Sequence, residues 1–537
     1  MALMNEIVQS PVVNVVETSD RKSITVGAII QVFFTLLSRV FGMVRDVMVS
    51  HIFGAGAITD AYVVAFTIPN VLRQFFGEGA FSVAFVPVYV STKETHGVST
   101  AHAFFRDAFG LLLISLGLVT LIGMLGSRVL VHIFASGFAD NSEQLALAST
   151  MTRWLFPYVL MISLVALFGA YLACYKRFAA MAAAPILLNV AQILAMIFWI
   201  EHFSPPVMVL VFGVLVGGLL QVALMVLALM RVGLWALPSW SINTETMKTF
   251  LRLLGPALFG IFVYQLNIIV LRQLASFLDE GQISYYYNAD RLAQFATGVF
   301  AVSIATAALP ELSRGVARFG SEAFYETLRF TLTITSFIMM PCALGLLVFA
   351  RPIISVIFVH GAFTSQDAVI TAQALMAFAP SLVAFGFCRP LIQAFYALGD
   401  TRTPVFVGMV TVVLNLGLGW LLLRLNVVGL SLTLSVSSFV QFFILLFAFK
   451  KKSHGQFLAK LWRPFLAHSG ISVIACGVGL LLVKMGSWQE GFTVKNALVL
   501  TALCATAAIS YFAFAYYFKL PEARKFIAGL RAKLFTH

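Results

Sequence analysis

Fourteen apolar segments, near residues 24–50, 59–92, 103–135, 149–173, 178–200, 206–230, 247–278, 283–313, 325–350, 367–396, 403–424, 427–449, 463–484 and 495–518, run the length of this chain. A helix needs about 20 apolar residues to cross ~30 Å of hydrocarbon, and these segments reach that length. Several are longer, so they must tilt, kink or protrude into water. The two-residue alternation of a membrane β-barrel is absent. Charged residues make up only 11% of the 537, against 60% hydrophobic, whereas a soluble chain carries about 25% charged residues. The expectation is an all-α polytopic membrane protein with 14 transmembrane helices, numbered here as spans 1–14.

Orientation follows from the loops. With the N-terminus in the cytoplasm, 23 of the 35 Lys and Arg fall in cytoplasmic segments and 7 on the opposite side. That bias places both termini in the cytoplasm. Residues 1–23 are polar and lack the apolar core of a signal peptide, so they read as a cytoplasmic extension. The net charge of +13 is spread over many loops, which suits anionic headgroups rather than nucleic acid. The five cysteines stand singly with no CxxC, and the nine histidines form no HExxH, so neither a disulfide nor a metal site is expected. No Walker A sequence and no catalytic constellation is present, and the chain does not read as an enzyme. Any uphill transport must draw on the membrane potential or an ion gradient, such as that of a monovalent cation, with no cofactor.

An internal repeat organises the spans. The stretch "VHIFASGFADNSEQLALASTMTRWLFPYV" from Val131 matches "SVIFVHGAFTSQDAVITAQALMAFAPSLV" from Ser355 in the order of its parts: Ile-Phe, a glycine, a polar turn, a helix, then Pro157 or Pro380. The shift is six spans, an even number, so the halves share one orientation as a parallel pseudo-repeat. The expected domains are a cytoplasmic extension (1–23), an N-lobe of spans 1–6 (24–232), a C-lobe of spans 7–12 (233–452), the additional spans 13–14 (453–518) and a basic tail (519–537). Such repeats are typical of alternating-access transporters with a site between the lobes.

Charges inside the spans identify that site. An ionisable residue at membrane depth costs about 2.5–3.5 kcal/mol on insertion scales and faces a cavity or a partner. Span 1 carries Arg39, Arg45 and Asp46 in "SRVFGMVRD". Arg39 and Asp46 share a face, whereas Arg45 points about 120° away from Arg39. Asp60 opens span 2, where Asn70, Arg73 and Glu78 follow among Pro69, Gly77 and Gly79, residues that weaken a helix. Span 8 opens "SYYYNADRLAQF", with Asn288, Asp290 and Arg291 behind three tyrosines. Arginines from both halves suggest a cationic cavity, and guanidinium forks suit a pyrophosphate. The counter-reading pairs each arginine with a local acid, Arg45 with Asp46 and Arg291 with Asp290.

At these residues the chain resembles the MurJ (MviN) family of lipid II flippases, within the multidrug/oligosaccharidyl-lipid/polysaccharide (MOP) exporter superfamily. The motifs are "SRVFGMVRD", "FGAGAITDAYVVAFTIPNVLRQFFGEGAFSVAFVPV", "YYYNADRLAQFATGVF" and "GDTRTPV". The resemblance implies a MATE-like fold, with spans 13 and 14 forming a groove for a polyprenyl tail. It implies that Arg39, Arg45, Arg73 and Arg291, with Ser38, Asn70 and Ser284, bind the cargo. Asp46, Asp60 and Glu78 match the family's functional acids, and Asp290 joins them as a charge-pairing candidate. Gln74 departs from the pattern, since members often carry a second arginine there. The implied setting is the bacterial inner membrane. The implied partners are lipid II (undecaprenyl-pyrophosphate carrying a disaccharide-pentapeptide), membrane lipids and cell-wall synthesis enzymes. Two other readings stand beside this one: a MATE-like exporter of small molecules, which needs acids to dominate the cavity, and a non-transporting cell-wall scaffold, which needs no buried arginines.

Overall fold

The computed structural model describes residues 11–75, 80–241, 244–314, 320–452 and 462–524, and among these there is no β-strand. That outcome follows from the solvent, because in hydrocarbon a chain must satisfy its backbone polar groups internally. In chain order the helices are α1 (Pro11–Phe53), α2 (Ala57–Arg73), α3 (Ala80–Leu125), α4 (Ser127–Phe134), α5 (Ser142–Leu155), α6 (Pro157–Ala173), α7 (Ala179–Phe198) and α8 (Met208–Arg231). There follow α9 (Glu245–Ala275), α10 (Gln282–Arg314), α11 (Gly320–Val348), α12 (Ala350–Phe358), α13 (Ser365–Ala397), α14 (Arg402–Leu422), α15 (Asn426–Lys452), α16 (Trp462–Val483) and α17 (Val494–Tyr517).

By length and hydropathy, nine stretches of the described residues qualify as membrane spans. One of them, Arg402–Lys450, contains both α14 and α15. Spans 2 and 3 are joined more closely than expected, since α3 runs through the polar stretch and turns at Gly97 (φ 85°, ψ 168°). Helical geometry also begins at Pro11, inside the polar extension.

The chain divides into two compact units. The first comprises Met1–Asp46, Val64–Val131 and Leu145–Phe262, and the second Val47–Val63, His132–Gln144 and Val263–His537. In the first, α6 packs on α3 and α8, and α7 packs on α8. Gly213 and Gly217, four apart on α8, make the α7–α8 contact close: a Cβ on either would come within 2.8 Å of the Cα of Gln192 or Leu188. This is the small-residue packing that lets membrane helices approach.

In the second unit α13 is central, packed by α10, α11, α12 and α15. Its first turn is held by a capping box between Thr364 and Asp367. Helices α16 and α17 pair with each other and lie on α11 and α12. The contact with α11 buries Phe337, Ile471, Tyr511 and Ala515 together.

The repeat seen in the sequence recurs as structure. A short helix and a turn precede Pro157 in α4–α5–α6, and the same order precedes Pro380 in α12–α13. Pro157 starts a new helix, whereas Pro380 lies inside a continuous one.

Candidate functional site

In the first unit the charges of α1 sit beside α7. Arg45 and Asp46 are 4% and 5% exposed. The Arg45 guanidinium donates to Asp46 Oδ1 through Nη2 (2.7 Å) and Nε (3.1 Å). Its Nη1 donates to Asn189 Oδ1 at 3.0 Å and Gln192 Oε1 at 3.1 Å. The same Asn189 donates through Nδ2 to the Ser38 carbonyl oxygen at 3.1 Å. Asn189 and Gln192 lie three apart and so share a face of α7, the helix that Gly213 and Gly217 allow to approach α8. A buried guanidinium requires such a set, because an unmatched charge in low dielectric costs several kcal/mol. Arg39, two turns before Asp46, is half-buried on α1.

Asn70 and Arg73 come together at the end of α2, where Arg73 Nε donates to Asn70 Oδ1 at 2.8 Å. Helix α2 ends there and passes into a wider π-type turn at Gln74 and Phe75. Glu78, Gly77 and Gly79 lie outside the described residues.

In the second unit Asp60 and Ser284 form one group. Asp60, 2% exposed, accepts from the backbone N–H of Gly281 (2.7 Å) and of Ser284 (2.8 Å), and from the Ser284 hydroxyl (2.5 Å). Its carboxylate therefore caps the N-terminus of α10, where the unpaired N–H groups and the helix dipole favour an anion. Gly281 supplies the turn, with φ +86°. One turn further, buried Asn288 donates to Ser50 Oγ at 3.2 Å. Nearby, the N–H of Ala362 donates to the His51 carbonyl at 2.8 Å, and Gln144 Nε2 donates to the Ala57 carbonyl at 3.2 Å. These contacts tie residues 47–63 and 132–144 into the second unit.

Arg291 is half-buried, and its Nε donates to Tyr287 Oη, one turn back, at 3.0 Å. Its guanidinium also lies 5.1 Å from the Tyr287 ring centre. Arg272 lies 5.7 Å from the same ring and 5.6 Å from that of Tyr286. The tyrosine run thus supports arginines, an arrangement favoured by the ring quadrupole. The third tyrosine, Tyr285, donates to Asp367 at 2.6 Å. Asp290 accepts from Gln294 Nε2 at 2.7 Å.

Three participants escaped the sequence reading. Asn189 and Gln192 are two amides three apart in an otherwise apolar span, and that spacing was the available signal. Arg272, inside span 7, is the third, and it is 7% exposed.

A nearly all-helical chain with apolar spans and a repeated order of helices defines a polytopic α-helical membrane protein. Its fold is similar to that of an inward-facing MATE family transporter of the MOP superfamily, with a TM-score of 0.67 at 13% identity, covering 80% of this chain and 98% of that one. A structure of lipid II flippase MurJ in an inward closed conformation matches with a TM-score of 0.78 at 26% identity, covering 91% and 98%. The family profile described as Lipid II flippase MurJ matches residues 49–499. A probable lipid II flippase MurJ of Vibrio cholerae is 34% identical over 510 residues, covering 93% of this chain and 96% of that protein. The lipid II flippase MurJ of Burkholderia cenocepacia is 34% identical over 450 residues, covering 83% and 87%. The chain belongs to the MurJ family of lipid II flippases.

Proposed function

We propose that this protein moves lipid II from the cytoplasmic to the periplasmic leaflet of a bacterial inner membrane by alternating access, with both termini in the cytoplasm. The observation that carries the reading is the match to the family over residues 49–499, joined to the arginines at positions 39, 73 and 291. Arg39, Arg73 and Arg291 receive the pyrophosphate, to which guanidinium forks are suited in geometry and charge. Arg73 and Arg291 are each oriented through Nε by a neutral oxygen one turn back, on Asn70 and Tyr287. Arg45 has a different part: with Asp46, Asn189 and Gln192 it fixes α1 against α7 and so sets where Arg39 stands.

Asp60 and Ser284 form a release point at the head of α10. Their hydrogen bonds hold residues 47–63 in one state and break in the other, and an acid there serves the change of state. The polyprenyl tail follows α16 and α17. An inside-negative potential favours outward movement of an anion by about 2.3 kcal/mol per charge per 100 mV, which supplies direction without a nucleotide.

The test is protection of the arginines from a dicarbonyl reagent. Lipid II is expected to shield Arg39, Arg73 and Arg291, and a short prenyl monophosphate is expected to leave them reactive. Equal modification with and without lipid II refutes the assignment.

A further inference from the structure

The spacing of Glu326, Arg329, Phe330 and Thr333 (i, i+3, i+4, i+7) puts all four on one face of α11. That face lines a cavity of about 330 Å³, closed by Pro464 at the start of α16 and by Pro521 and Glu522 beyond α17. A volume of this size is within the usual range of ligand sites, about 300–1,000 Å³. It lies wholly within the second unit, and none of its residues belongs to the arginine site.

The chain is folded back to build it. Lys519 takes a left-handed conformation (φ +58°), and the N–H of Leu520 reaches the Ala515 carbonyl at 3.0 Å. A β-carbon in that conformation costs roughly 1–2 kcal/mol, offset by the burial of Ala523 among Phe337, Ile471 and Tyr511. The turn delivers Glu522 to the cavity with its side chain only 11% exposed. Behind it stands His468, fully buried, with Nδ1 3.0 Å from Ser336 Oγ. His468 Nε2 faces Glu522 Oε2 at 3.7 Å and makes no hydrogen bond among the described residues. On the opposite wall Arg329 Nη2 lies 3.8 Å from Glu326 Oε1. Among the described residues, two carboxylates and one guanidinium thus line a partly apolar cleft, with exposed Phe330 at its side.

We infer that this cavity binds the headgroup of an ethanolamine phospholipid, its ammonium between Glu326 and Glu522 and its phosphate on Arg329. An ammonium has three N–H donors and can donate to both carboxylates at once, and the guanidinium takes phosphate oxygens. A choline headgroup has no N–H to give, and a glycerol headgroup brings no cation to the carboxylates. The cleft therefore selects a primary amine beside a phosphate.

Native mass spectrometry of the full chain tests this, after reconstitution in bilayers of equal parts phosphatidylethanolamine, phosphatidylcholine and phosphatidylglycerol and mild extraction. The ethanolamine lipid is expected to be retained about tenfold over the choline lipid, the factor of one charge-assisted hydrogen bond. Glu522→Gln and Glu326→Gln should each reduce that preference. Glu326 is on the exposed face of α11, so its variant keeps the fold if the Glu522 variant does not. Equal retention of the ethanolamine and choline lipids, preferred retention of the glycerol lipid, or full selectivity in Glu326→Gln overturns the inference.

Discussion

Replacing Asp46 with alanine leaves the Arg45 guanidinium buried, at 4% exposure, without the carboxylate that accepts from both Nε and Nη2. Removing one partner of a buried ion pair costs about 3–5 kcal/mol, because the remaining charge stays desolvated. Removing Asn189 or Gln192 takes away one hydrogen bond to a charged group, about 1.5–3 kcal/mol. Replacing both charges, as in Arg45→Met with Asp46→Leu, should recover most of the loss, since apolar groups of similar volume often substitute for a buried pair. For a chain of this length the unfolding entropy is about 1.1 kcal/mol per kelvin, so Asp46→Ala should lower the midpoint by about 3–5 °C. The molecule supplies its own probe: Cys388 and Cys476 are free and buried, so a fluorogenic maleimide reports their exposure on heating. The expected order of stability is wild type, then the Asn189 and double variants, then Asp46→Ala. An Asp46→Ala midpoint no lower than that of Asn189→Ala, or a double variant as unstable as Asp46→Ala, refutes a structural role for the pair.

Gly213→Leu and Gly217→Leu should each cost about 1–3 kcal/mol by overpacking α7 against α8, and should slow translocation by displacing Asn189 and Gln192. The maleimide midpoint and a lipid II translocation assay check this. Asp60→Ala removes the acceptor for two backbone N–H groups and one hydroxyl, and should destabilise the head of α10 by about 1.5–3 kcal/mol. Hydrogen exchange should accelerate at residues 281–284, whereas Ser284→Ala should do so less; unchanged protection in Asp60→Ala contradicts the cap. Arg272→Gln should weaken the stacking on Tyr286 and Tyr287 by about 0.5–2 kcal/mol and lower the midpoint accordingly.

The helices were legible because lipid leaves few alternatives. A long apolar run must be helical, and the proline and glycine punctuation of the repeat survives as α4–α5–α6 and α12–α13. The Arg45–Asp46 pair was also within reach, since adjacent opposite charges in one span have few other partners. The rest of that cluster was not, for Asn189 and Gln192 are 144 and 147 residues from Arg45, and no local rule connects them. Asp60 shows the same limit. Its place at the opening of span 2 gives no sign of a distant partner, yet its carboxylate serves the head of α10, 221–224 residues away. The sequence places three tyrosines ahead of Asn288 with nothing to fix their role; the positions of Arg272 and Arg291 over the rings make the run a support for charge.

The central claim is that three arginines carry the cargo while Arg45 holds the frame. Lipid II translocation in proteoliposomes, measured for Arg39→Ala, Arg73→Ala and Arg291→Ala singly and together, addresses it most directly. The account predicts near-complete loss in the triple variant with a melting midpoint close to wild type. Wild-type translocation by a folded triple variant would contradict it.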